Sequence, residues 1–324
     1  MSPTIIAVGL FITGLFLVIK GGDFFVDAAA WVSDATGISK VVIGATLVSF
    51  ATTAPELFTS LIATLSHSND IAVGNAVGSP SANMGLGFAM LALFTPSAVR
   101  DKLFALKTLI MVTAAALLLA FCLNGNLTWV EGGVLLVVFL ISMYINIHYA
   151  KDADAPRRVP QTRRSIVSNV AKFIVGISAI ILGAKLLVDN GQRLAIGLGI
   201  PESVVGLTFV AIGTSLPEIV TAITAIVKKQ NSLSIGNIIG ANILDTTLIL
   251  TLCSFVSGGK TGGLSVSPNT VRYDVPVLLA MGLIILIPTA IGKKIYRLQG
   301  AALLALYAAY IVYISFFLGD PAAV

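Results

Sequence analysis

Apolar runs of roughly 20 residues recur along the whole of this 324-residue chain, and they constrain its fold more than any other feature. At about 1.5 Å per helical residue, a run of that length crosses the ~30 Å hydrocarbon core of a bilayer. Composition agrees: only 11% of the residues are charged and 56% are hydrophobic, whereas a soluble domain carries about 25% charge. The sequence therefore predicts an all-α, polytopic membrane protein with the lipid bilayer as its surroundings. The net charge of +5 does not point to nucleic acid, because the basic residues sit in short loops between apolar runs. Cys122 and Cys253 lie far apart inside apolar segments and form no metal motif. The first apolar run, residues 5–19, has no basic residue before it and no small-residue cleavage site after it, so it reads as a mature helix rather than a signal peptide.

Hydropathy places ten transmembrane helices near residues 4–33, 40–65, 70–96, 103–123, 128–149, 165–193, 200–228, 232–257, 272–291 and 297–318. The first and sixth are long and carry charges, which predicts tilt or bending. Only residues 151–164, rich in Asp, Pro and Arg, resemble a linker. Basic residues fix the expected orientation. Lys40, Arg100, Lys102, Lys151, Arg157, Arg158, Arg163, Arg164, Lys228, Lys229, Lys293, Lys294 and Arg297 fall on one side, and only Arg193, Lys260 and Arg272 on the other. The first side is expected to be cytoplasmic, with both termini extracellular, in the plasma membrane of a prokaryotic cell.

The chain also repeats itself. GATLVSFATTAPELFTS begins at Gly44 and GLTFVAIGTSLPEIVTA at Gly206, an offset of 162 residues. Without a gap, the same offset pairs Gly14 with Gly176, Gly21 with Gly183, Val26 with Val188, Asp27 with Asp189, and GNAVGS from Gly74 with GNIIGA from Gly236. Residues 1–162 and 163–324 thus form two repeats within one membrane domain. Each holds five crossings, an odd number, so the second copy must enter the membrane from the opposite side. Such inverted-topology repeats place substrate sites near the midplane, where the copies meet.

Glu56 and Glu218 are repeat-equivalent and lie well inside the predicted second and seventh helices. A carboxylate at that depth is costly unless solvated or paired. Pro55 and Pro217 precede them, each removing a backbone N–H and disturbing the carbonyl four residues back. Carbonyls near Ala51, Thr52, Gly213 and Thr214 are thereby loosened, which is tolerated at membrane depth only where they are re-satisfied or line a cavity. Thr52 stands four residues before Glu56, and Thr214 four before Glu218, so hydroxyl and carboxylate share a helix face. Two repeats facing each other would form an all-oxygen cage suited to Ca²⁺ or Na⁺. Ser79 and Asn83 add polar groups to the third helix; their counterparts on the eighth are Ala241 and Asp245. Gly74, Gly78, Gly236 and Gly240 make a small-xxx-small pattern best explained by packing. A buried interhelical hydrogen bond would also explain Asn83, and is harder to invoke for Asp245. Lys20, Asp23, Asp27, Lys185 and Asp189 are expected to snorkel or pair near an interface, and His67 and His148 to be solvated near helix ends. No nucleotide-binding loop, nucleophile triad or zinc motif is present, so an enzyme is not expected, and neither a cofactor nor an obligate protein partner is called for.

With ATTAPELFTS, GNAVGSPSAN, GTSLPEIVTA and GNIIGANILD, the chain resembles the calcium/cation antiporter superfamily, which includes the sodium/calcium exchangers. The resemblance covers both repeats. It implies antiport of Ca²⁺ for Na⁺ by alternating access, the first and sixth helices moving against the other eight. It implies Ca²⁺ between the carboxylates of Glu56 and Glu218, completed by the carbonyls of Thr52 and Thr214. It implies Na⁺ held by the same acids with the Ser49 carbonyl, Thr52, Thr53 and Ser79 on one flank. On the other flank stand the Ala211 carbonyl, Thr214 and Ser215, with Asn83 and Asp245 at the centre. Because both ions need the same acids, binding is competitive, and competition underlies exchange. Two departures stand out. Ala241 occupies a position where serine is usual, which removes a ligand from one outer Na⁺ site, and the first motif reads ATT where GTS is common. Both bear on Na⁺ stoichiometry more than on the Ca²⁺ site. Asp245 is found with and without potassium dependence, leaving a K⁺-dependent exchanger open. A proton/calcium antiporter is the runner-up, supported by Ala241, although that branch carries a glutamate-containing form of the second motif. A passive channel would show acids strung along a pore, whereas these cluster at one depth; a non-transporting scaffold would leave the acids without a role.

Overall fold

A computed structural model describes residues 3–96, 104–148, 161–197, 213–261 and 263–314. Helices dominate it. In chain order they are α1 (Pro3–Thr36), α2 (Lys40–Thr52), α3 (Ala54–Leu65), α4 (Asn69–Phe94), α5 (Phe104–Cys122), α6 (Trp129–His148), α7 (Arg163–Gly197), α8 (Leu216–Val227), α9 (Asn231–Gly258), α10 (Thr270–Gly292) and α11 (Arg297–Tyr313). Two-residue strands β1 (Asn126–Leu127) and β2 (Leu264–Ser265) pair antiparallel, tying the loop after α5 to the loop after α9.

Among the described residues, seven helices are long and apolar enough to cross a membrane, and α2 with α3 makes an eighth span if that bent pair is one crossing. The shorter apolar helices α8 and α11 complete the set. The expected seventh helix, 200–228, is described only from residue 213, and the last residues expected in the tenth, 315–318, lie outside the described residues, as do most of the linker-like stretch, Arg100, Lys102 and Ala211. The expected single helix over 40–65 is corrected. It breaks at Thr53, and α2 and α3 meet at 45°. Pro55 at the start of α3 explains the break: it cannot donate to the preceding turn, so a new helix begins there.

The apolar side chains point outward as well as inward. Phe16, Phe58, Ile62, Phe94, Ile147 and Ile291 are all exposed, a pattern that suits lipid rather than water. The most deeply buried spans are α4 and α9, 72% and 83% buried over their apolar windows, against 28% for α1 and 22% for α7. The two helices that carry the GNxxG motifs therefore form the centre, and α1 and α7 lie at the periphery.

α1 and α7 contain 34 and 35 residues, about 50 Å each at 1.5 Å per residue, too long for an upright crossing. They pack together along their lengths through glycines. A β-carbon on Gly14 would lie 2.8 Å from the Gly183 carbonyl oxygen, and one on Gly21 would lie 2.8 Å from that of Gly176. The offset of 162 exchanges these two contacts, so the helices run antiparallel and their interface is self-complementary. The other close crossing joins the halves at the centre. A β-carbon on Gly236 would overlap the Val41 carbonyl oxygen, and one on Gly240 would lie 2.6 Å from the Ala45 Cα. These contacts support the packing role expected for Gly236 and Gly240. Gly74 and Gly78 show no such neighbour within 4 Å among the described residues.

Candidate ion site between the halves

The break at Thr53 sets the geometry. Glu56 and Glu218 each lie in the first turn of a helix, α3 and α8, one residue after a proline. The free N–H groups and the positive end of the helix dipole are where a buried carboxylate is best tolerated. The C-terminal turn of α2, Ser49–Thr52, ends just before, and its last carbonyls, lacking intrahelical partners, favour a cation. Breaking one span thus brings a cation-seeking helix end and an anion-tolerating one to the same depth.

The backbone is irregular on the facing helices too. Asn83 opens a π-helical stretch, Asn83–Phe88, and Asp245 lies in another, Leu244–Ile249. π-helical turns of this kind are frequent at functional sites, and two more occur at Gly44–Val48 and Thr270–Asp274.

The two halves meet through side chains. Thr53 Oγ1 donates to Glu218 Oε1 at 2.9 Å. Ser79 Oγ and Thr214 Oγ1 are 3.4 Å apart. Thr52 Oγ1 lies 3.3 Å from Asn237 Oδ1 and 3.4 Å from the Ser49 carbonyl oxygen. Asn83 Nδ2 donates to Asn242 Oδ1 at 3.2 Å, so the interhelical bond considered for Asn83 exists, and its partner is Asn242. Ser49, Thr52, Thr53, Ser79, Asn83, Ser215, Glu56, Glu218 and Asp245 are all buried, whereas Ala211 is outside the described residues.

Burial makes the unpaired atoms informative. Both oxygens of Glu56 and of Asp245, Oε2 of Glu218, Oδ1 of Asn83 and Oγ of Ser215 have no hydrogen-bond partner. Native proteins rarely bury polar atoms so, and unpaired carboxylate oxygens cost most. Every one of these atoms is an oxygen, the donor set that hard cations prefer. Among the described residues no three His, Cys, Asp or Glu side chains group closely enough to chelate a metal. The chemistry on offer is that of a few acids supplemented by hydroxyl, amide and carbonyl oxygens.

Three asparagines went unread in the sequence. Asn75 and Asn237 are the N of the two GNxxG motifs, and Asn242 occurs in the second half only. Asn75 Nδ2 donates to the Glu56 carbonyl oxygen at 3.1 Å and to Ser60 Oγ at 2.9 Å, bracing the helix that carries the acid. The signal in the sequence is an asparagine at the same position of both repeats, Asn75 and Asn237.

The match to known proteins agrees with this geometry. The profile of the family described as Sodium/calcium exchanger protein matches residues 6–148 and 168–316, once in each half. The chain is 30% identical to sodium/calcium exchanger MaX1 of Methanosarcina acetivorans, over 94% of this chain and 97% of that one. It is 32% identical to the inner membrane protein YrbG of Escherichia coli, over 86% of this chain and 87% of that one. A solved structure of the sodium-calcium exchanger NCX_Mj, soaked with Na⁺ and Sr²⁺, superposes with a TM-score of 0.82 at 31% identity, covering 95% of this chain and 99% of the other. The expectation of a transporter rather than an enzyme, with cations as substrates and no cofactor, holds for the family. With a membrane-spanning helical fold and a family match in both halves, the chain belongs to the sodium/calcium exchanger family of multi-pass cation antiporters.

Proposed function

We propose that this protein exchanges Ca²⁺ for Na⁺ by alternating access. One observation carries the proposal: two buried acids in equivalent positions, Glu56 and Glu218, keep carboxylate oxygens unpaired where the halves meet. Ca²⁺ would lie between them with the carbonyls of Thr52 and Thr214. Na⁺ would draw on the same acids together with the Ser49 carbonyl, Thr53 and Ser79 on one flank and the Ala211 carbonyl and Ser215 on the other, around Asn83 and Asp245. Neither ion binds without displacing the other, so the empty acids discourage an uncoupled return.

The supporting frame is two inverted repeats, residues 1–162 and 163–324, of five crossings each. α2 with α3 counts as one crossing, and α8 is the described part of another. Both termini would lie outside a cell membrane. The glycine-lined α1–α7 pair would slide against the central helices to alternate access, since those two spans are among the least buried of the described residues.

Proteoliposomes loaded with Na⁺ should take up Ca²⁺ when diluted into Na⁺-free medium. Uptake driven by a pH gradient and not by Na⁺ would replace this with proton/calcium exchange. That second reading is favoured by Ala241, which leaves Ser79 without a hydroxyl counterpart. Imposing K⁺ gradients in the same assay tests potassium coupling, and single-channel currents would indicate a passive pore.

A further inference from the structure

The two GNxxG asparagines are the same residue in sequence and differ in the structure. Asn75 spends its amide on α3: Nδ2 donates to the Glu56 carbonyl oxygen and to Ser60 Oγ, which itself donates to the Ala72 carbonyl oxygen at 3.2 Å. The residue equivalent to Ser60 is Ala222, fully buried and with no acceptor to offer. Asn237 therefore lacks one of the two acceptors that hold Asn75. Its Nδ2 is buried without a hydrogen bond, and its Oδ1 turns to Thr52 Oγ1 across the boundary between the halves, at 3.3 Å.

A threonine hydroxyl has one proton and two lone pairs. If that proton goes to Asn237 Oδ1, the lone pairs of Thr52 Oγ1 are left for a cation in the cage. Thr214, the equivalent hydroxyl, has Ser79 beside it, and Ala241 denies Thr52 the same neighbour. Asn237 fills that gap with an amide oxygen. Both residues are fully buried, so water does not compete for the hydroxyl proton, and the Ser49 carbonyl oxygen, at 3.4 Å, is the alternative acceptor.

We propose that Asn237 is a positioning residue for cargo binding: it orients the Thr52 hydroxyl so that its oxygen faces the ion, whereas Asn75 serves only to brace α3. This rests on the exchange proposal for its cargo and adds a residue and a division of labour to it. The Ser60-to-Ala222 difference creates the role.

The test compares Asn237→Ala, Asn75→Ala and Ala222→Ser, each reconstituted and assayed for half-saturating Ca²⁺ and Na⁺, maximal rate and melting temperature. One lost orienting hydrogen bond predicts about a five- to tenfold rise in half-saturating concentration for Asn237→Ala, with maximal rate and melting temperature little changed. Asn75→Ala should lower the melting temperature and leave half-saturation within about twofold. Ala222→Ser gives Asn237 the acceptor that Asn75 has, drawing it from Thr52, and should raise half-saturation without loss of stability. Unchanged half-saturation in Asn237→Ala overturns the proposal, whatever happens to its melting temperature. If that variant does not fold, Ala222→Ser decides in the same way. Equilibrium Ca²⁺ binding to the purified protein separates the two proposals: a wild type that binds Ca²⁺ without Na⁺-driven uptake refutes exchange and leaves the Asn237 comparison measurable.

Discussion

The first half of the candidate ion site is hydrogen-bonded and the second half is open. Around Glu56, Asn75 and Ser60 form a chain of donors that ends on backbone carbonyls. Around Glu218 the equivalent positions are Asn237, which reaches across to Thr52, and Ala222, which reaches nothing. The acids themselves invert the pattern: Glu218 receives Thr53 on one oxygen, while Glu56 receives no side-chain donor on either. Ser215, the counterpart of Thr53, is unpaired. A duplicated chain need not make a symmetric site. The repeat supplies two acids in equivalent positions, and the residues that differ decide which acid receives a side-chain donor and which does not.

The strongest way to break this comparison is to remove an acid. Glu56→Ala and Glu218→Ala should each abolish Ca²⁺ uptake while the protein still inserts and purifies. Truncating one charge of a buried, desolvated ion contact costs about 2–5 kcal/mol, so Ca²⁺ affinity should fall by more than about thirtyfold in both variants. Radioactive Ca²⁺ binding and proteoliposome uptake measure this. A substantial residual rate in either variant would show that the acids do not share one ion, and the site would have to be rebuilt around the other.

A smaller effect is expected where the halves touch without polar chemistry. Gly236 of α9 packs so tightly on α2 that a methyl group would overlap the Val41 carbonyl. Gly236→Ala must push backbone from backbone, an overpacking cost of about 1–3 kcal/mol. Gly133, on α6, has nothing within 4 Å of its β-carbon position, and Gly133→Ala should be neutral to slightly stabilising, since alanine is the better helix former. Thermal unfolding in detergent reads the difference. Equal melting temperatures would mean that the central crossing is looser than its geometry.

These regions also show what a sequence can carry. The spans were legible because hydrophobic length is a local property. The acid pair was legible because the offset of 162 placed Glu56 and Glu218 in matching surroundings. The break at Thr53 was only half legible: Pro55 signals a disturbed turn, but whether a helix kinks or stops depends on what receives the freed groups, and that partner is on another helix. The asparagines of the GNxxG motifs stand in the sequence, but their partners were illegible for the same reason. What Asn237 does is set by Ala222, fifteen residues earlier on a different helix, and no periodicity within either segment reports that contact. Likewise Asn83 finds Asn242, a residue whose counterpart in the first half is Pro80, so the repeat itself conceals the pairing.

The least expensive asymmetry lies at the edge of the molecule. Lys228, at the end of α8, reaches α1: its Nζ is 2.7 Å from Asp27 Oδ1, 3.4 Å from Asp23 Oδ1, and donates to the Asp23 carbonyl oxygen at 2.9 Å. This is the pairing near an interface expected of the charges on the first helix. Under the offset Asp27 becomes Asp189, but Lys228 becomes Ser66, so the second half has the acid without its cation. If α1 and α7 slide together, the tether holds one end of α1 in one access state and has no equivalent at the other end. The side chains are 23% and 52% exposed, and pairs this wet contribute about 0.2–1 kcal/mol. Lys228→Gln should therefore shift the ratio of the two access states by less than about fivefold, and less again in high salt. Ser66→Lys, which supplies the cation that the offset pairs with Asp189 in the opposite access state, should shift the ratio the other way. State-dependent labelling of a single introduced cysteine reads both. A shift in the same direction for the two variants would mean that the charges act on stability alone, and that the ends of α1 and α7 are not exchanged by the transport cycle.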